Sequence, residues 1–104
     1  MDMEDLIARL QVLNKTALKY DVEFLELLIE ITQSELTELL HYKEYNSAWD
    51  LLVLQMCNEK LNKVGNEGLN SVSFSGVSEN YTDFYSASIV KQIQSKRRLR
   101  MLWV

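Results

Sequence analysis

The strongest constraint on the fold of this chain is an apolar stripe at helical spacing, Val22, Leu25, Leu28, Ile29, Leu36, Leu39 and Leu40. Glu23, Glu26, Glu30, Gln33, Thr37 and Glu38 mark the opposite face. This is the 3.6-residue period of an amphipathic helix. Asp21 stands at its start, and no proline occurs anywhere in the 104 residues to break it. Leu27 and Ile31 widen the stripe beyond what one partner helix needs. That leaves two readings, a helix packed on two sides within the fold or a face that meets another subunit.

The same reasoning places three more helices. Asp2 can cap a helix over 3–13, with Leu6, Leu10 and Leu13 on one stripe and Ile7 beside them. The segment "NKTALKY" then makes a short connection. After "HYKEYN", Ser47 with Asp50 three residues later resembles a capping box with Asp in the Glu place. A third helix follows from about Ala48 to Val64, with Trp49, Leu52, Val53, Met56, Cys57, Leu61 and Val64 on its apolar side. Its block "LLVLQM" is apolar nearly all round, which predicts deep burial, and Gly65 is placed to end it. Ser86 can cap a last, basic helix over about 87–102, with Ile89, Val90, Ile93, Leu99 and Leu102 apolar. The end "MLWV" carries a tryptophan that expects a docking surface.

Between the third and last helices the pattern changes. "GLNSVSFSGVSENYTDFYSASI" holds two of the three glycines and alternates small polar with apolar residues. Val72, Phe74, Val77 and Tyr81 are its larger apolar positions, and Gly76 can supply a tight turn. Two short strands at about 70–75 and 77–82 are expected here as a protruding β-hairpin over about 69–82, or else an irregular loop. A lone hairpin is marginal in water and has free edges, so it should lean on a helix or pair with another chain. The expected architecture is a single all-α domain spanning 1–104, of about four helices with this small hairpin or loop.

Charge is divided along the chain. Residues 1–90 hold six Lys and Arg against fifteen Asp and Glu, a net of −9, whereas Lys91, Lys96, Arg97, Arg98 and Arg100 follow with no acid. The basic end is either a solvated helix end that suits the helix dipole or an electrostatic contact surface. The pI of about 4.9 argues against a nucleic-acid module, because an acidic body opposes phosphate binding. One cysteine, Cys57, excludes an internal disulfide and a multi-cysteine metal site. The lone His41 has no evident catalytic partner, and the three scattered glycines make no phosphate loop. No catalytic, metal or cofactor-binding residue is therefore expected. The longest aliphatic run, Leu51 to Leu54, is too short to span a membrane, and the acidic start is unlike a secretory signal.

The order of these segments resembles the small head–tail connector proteins of tailed bacteriophages, also called adaptor or head-completion proteins. The pieces that carry the likeness are "DVEFLELLIEITQSELTELL", "AWDLLVLQMCNEKLNKVGNEG", "GLNSVSFSGVSENYT" and the closing "KRRLRML", over roughly residues 18–102. The resemblance implies a structural virion protein with no reaction and no cofactor. Such a protein forms a ring below the portal protein at the head–tail interface and extends the DNA channel. It helps retain packaged DNA and receives a tail-side stopper or tail completion protein. Double-stranded DNA would pass through without sequence-specific binding, and assembly would take place in the bacterial host cytoplasm. The expected contact residues toward a neighbouring copy or the portal are Val72, Phe74, Val77, Tyr81, Arg97, Arg98, Arg100 and Trp103. The alternative is a small helical DNA-binding regulator or DNA-packaging accessory protein.

Overall fold

A computed structural model describes residues 2–67 and 81–103, with side chains described over 2–63, at 82 and over 84–97. The chain is all-α. Four long helices carry the fold, α1 (Met3–Leu13), α2 (Val22–Leu39), α3 (Asp50–Glu67) and α5 (Ala87–Trp103), with α4 a single turn at Tyr81–Phe84. No strand occurs among the described residues. No helix among them is long and apolar enough to cross a membrane.

Helices α1, α2 and α3 pack on one another, and α5 lies against α3. Leu6, Ile7 and Leu10 from α1 meet Leu25, Leu28, Ile29, Leu36 and Leu39 from α2, with Leu52, Val53, Met56, Cys57 and Leu61 from α3. Ile89 and Ile93 extend the same core from α5. Each such side chain stabilises the fold by roughly 1.5–3 kcal/mol on burial. The apolar stripes read from the sequence are buried through their central positions, whereas Leu13 at the end of α1 and Val22 at the start of α2, both expected on the stripes, are 52% and 56% exposed.

The helix ends follow local chemistry. The Asp2 carboxylate accepts the Asp5 N–H at 2.9 Å and caps α1. Asn14 ends α1, and its side-chain oxygen accepts the Thr16 N–H at 2.9 Å to start a 3-10 turn, Lys15–Lys19. Asp21 occupies the N-cap position of α2 without a side-chain cap bond. At the other end of α2, His41 donates its N–H to the Glu38 carbonyl and Tyr42 donates to that of Thr37. This closing pair of bonds requires a left-handed residue, and His41 supplies it with φ 61°.

Four expectations change. The capping residue before α3 is Asn46, whose side chain accepts the Ala48 N–H at 2.9 Å, rather than Ser47. Ser47–Trp49 is a separate 3-10 turn, and Asp50 instead accepts from the Tyr45 hydroxyl. Gly65 does not end α3, which runs on to Glu67, because glycine permits an exit from a helix without enforcing one. Leu51 breaks the deep burial expected of "LLVLQM", being 63% exposed while Leu52, Val53 and Leu54 are buried. An 18-residue helix with partners on two sides still turns one flank outward. The expected hairpin lies mostly outside the described residues. Its last two positions, Tyr81 and Thr82, form the α4 turn rather than strand. There the aromatic pair Phe84 and Tyr85 anchors the chain on the helices and takes it directly into α5.

Candidate functional site

Of the residues expected to make contacts, Val72, Phe74 and Val77 lie outside the described residues. Tyr81 opens α4. Arg97, Arg98, Arg100 and Trp103 all fall within α5, which places the basic run on a continuous helix. Arg97 is half-buried, and its Nη2 lies 2.7 Å from Nε2 of His41. The strained turn after α2 and the basic end of α5 thus meet, with His41 itself exposed.

A buried polar network holds this arrangement together, and the sequence reading did not identify it. Lys60 of α3 is fully buried. Its ammonium donates to Oε2 of Glu35 at 3.3 Å and to Oγ1 of Thr32 at 3.0 Å. The Tyr85 hydroxyl donates to the other Glu35 oxygen. Thr32 donates its own hydroxyl to the Leu28 carbonyl at 2.8 Å and accepts from the Cys57 thiol at 3.4 Å. No buried side-chain nitrogen or oxygen among the described residues is left without a partner. That matters because a half-satisfied network in low dielectric costs more than an apolar core.

The electrostatics of the network follow from burial. Desolvation pushes the Glu35 carboxyl above its usual range, against the opposing pull of the Lys60 charge and the Tyr85 and Lys60 hydrogen bonds. Burial and the neighbouring Glu35 push the Tyr85 hydroxyl up. Burial also raises the Cys57 thiol to about 11, which disfavours the nucleophilic thiolate. Cys57 behaves here as a small core residue.

Three consecutive residues at the entry to α5 are tied to the other helices. Lys63 donates to the Phe84 carbonyl and lies 3.9 Å above its ring. Tyr85 reaches Glu35, and the Ser86 N–H donates to Glu59 at 2.7 Å. Gln92 adds a hydrogen bond to Gln55 at 3.0 Å. These contacts fix where α5 starts and which way its basic end points.

Two further groupings are structural. Asn14 donates to the side chains of Asn58 at 2.9 Å and Asn62 at 3.0 Å, joining the end of α1 to α3. Tyr42 and Tyr45 both stand edge-on to buried Trp49. No group of three or more His, Cys, Asp or Glu among the described residues could hold a metal ion. An open apolar groove of about 480 Å³ lies between α1 and α3, lined by Arg9, Val12, Leu13, Leu51 and Leu54.

No protein-family model, no curated protein and no solved structure matches this chain.

Proposed function

We propose that this chain is a structural connector of a tailed-bacteriophage particle. Copies form a ring below the portal, join head to tail and extend the DNA channel. The role is assembly, with no reaction and no cofactor. The ring meets the portal on one side and a stopper or tail completion protein on the other. It belongs to the virion's head–tail interface and assembles in the host cytoplasm.

The observation that carries this reading is the division between an acidic body and a basic C-terminal helix. Residues 91–104 contain five Lys and Arg and no acid, while all fifteen acidic residues precede them. Opposite charge on two parts of one chain suits contacts in which a patch on one copy meets a different patch on the next. The ties at Phe84, Tyr85 and Ser86 support it by giving the basic helix a set direction. Segment 69–82, with Val72, Phe74, Val77 and Tyr81, is assigned to contacts between copies. Arg97, Arg98, Arg100 and Trp103 are assigned to the portal or an adjacent copy.

Binding to purified portal protein tests the proposal. The full chain should bind it, and a chain truncated after Ser95 should not. Equal portal binding by the truncated chain would remove the basic end from the contact. Absence of portal binding by the full chain, combined with salt-dependent affinity for duplex DNA, would replace the connector reading with a DNA-binding or packaging accessory role.

A further inference from the structure

Single exposed leucines are ordinary on a protein surface. The groove between α1 and α3 differs because its apolar residues converge. Val12 is 87% exposed, Leu13 52% and Leu51 63%, and buried Leu54 lies between them. Arg9 stands on its rim. On the α1 side the segment 6–20 carries Arg9, Lys15 and Lys19 and no acid. All three cations are exposed, and none is ion-paired to a described residue.

The same chain carries a surface of the opposite character. On α2, Leu27 is 54% exposed and Ile31 is half-buried, on the side turned away from the buried stripe. Glu23 and Glu30 are exposed beside them at helical spacing. From Asp21 to Leu39 there are six acids and no base, and only Glu35 of these is buried against a cation. Glu23, Glu26 and Glu30 make no ion pair with a described residue.

We propose that the α1–α3 groove receives the outer face of α2 from a second copy of this chain. Leu27 and Ile31 enter between Val12, Leu13 and Leu51, and Glu23 and Glu30 face Arg9 and Lys15. A helix laid in an apolar groove is an established recognition mode, read as anchors at i and i+4. The charges set which helix docks and in which direction. The two patches differ and belong to one chain, so the contact is head-to-tail and leaves one free groove and one free face on every pair. Repetition then closes a ring or grows a filament. The contact rests on the connector reading for its biological use and supplies a copy-to-copy surface distinct from segment 69–82.

The test uses two variants of the full chain, Leu51→Asp in the groove and Leu27→Asp on α2. Both positions are exposed, so each variant should keep the wild-type circular dichroism spectrum. Wild-type mass in light scattering should rise above one copy with concentration. Each variant alone should stay at the mass of one copy. Mixed one to one, they should give two copies and nothing larger, because each retains one intact surface. The proposal is overturned if wild type remains single up to about 1 mM. It is also overturned if either variant assembles like wild type, or if the mixture stays single. Portal binding by a wild-type chain that stays single, or whose variants assemble like wild type, would leave the connector reading standing without this contact. Head-to-tail association with no affinity for portal would do the reverse.

Discussion

Removing Glu35 alone from the buried Glu35–Lys60 pair should be more damaging than removing both partners. Breaking a buried pair leaves an uncompensated charge and costs about 3–5 kcal/mol. In Glu35→Leu the Lys60 ammonium keeps only Thr32 as an acceptor, and the Tyr85 hydroxyl loses its own. An unsatisfied buried hydroxyl adds about 1–3 kcal/mol, so the total is about 4–8. A domain of this length is stable by only about 5–15 kcal/mol, so this variant stands at the edge of folding. Lys60→Met should cost less, about 3 kcal/mol, because the stranded carboxyl can take up a proton. Its pKa is already raised by burial. A raised carboxyl pKa gives stability that is present below the unfolded value of 4.5 and is lost as pH rises through the folded value. Without the Lys60 charge that pulls it down, the Glu35 carboxyl lies higher still in Lys60→Met, so the deficit of that variant should grow as pH rises above 4.5. The double variant Glu35→Leu/Lys60→Met should be more stable than Glu35→Leu alone, since no charge remains buried. Guanidinium unfolding followed by circular dichroism and by fluorescence of buried Trp49 measures all three. In thermal scans Lys60→Met should lower Tm by roughly 12–24 °C. Single costs below about 1 kcal/mol, or a double cost equal to the sum of the singles, would refute a tightly coupled buried pair.

Three other outcomes follow from local structure. His41→Gly should be more stable than His41→Val by about 1–2 kcal/mol, because both lose the Arg97 contact and only glycine occupies a positive φ without a Cβ clash; the denaturation midpoint reads the difference. Asn14→Ala should lose about 1–3 kcal/mol at unchanged m-value, since it removes a cap bond and the ties to Asn58 and Asn62. Cys57 should react with a disulfide reagent at pH 8 at least about 100-fold more slowly than in the unfolded chain, because its pKa rises from 9.0 to about 11; a rapid native reaction would contradict its burial.

The helices were legible because their apolar positions keep one period over many residues. Leu25, Leu28, Ile29, Leu36 and Leu39 all proved buried, as did Leu6, Leu10, Met56 and Leu61. The polar network was not read, although it left a trace. Thr32 and Glu35 fall on the stripe of Leu28, Leu36 and Leu39, and Lys60 falls beside Met56, Cys57 and Leu61. A polar residue on a buried face signals that a partner exists. It does not say which, and Tyr85 stands 50 positions from Glu35. The Asn14 contacts, 44 and 48 positions away, are hidden for the same reason. Ser47 and Asn46 both suit a cap, and adjacent candidates are resolved only by the backbone path. Exposed Leu51 was missed because a near-continuous apolar run does not reveal which flank faces outward. Leu27 and Ile31 were legible as an excess of apolar surface, one of whose two readings was a subunit contact.

The most direct test of the account is the mass of the full chain by light scattering across concentration, with electron microscopy of the same samples before and after adding portal protein. The connector account predicts association that rises with concentration and closed rings bound to the portal. A chain that stays single with portal present, yet binds duplex DNA with steep salt dependence, would contradict it.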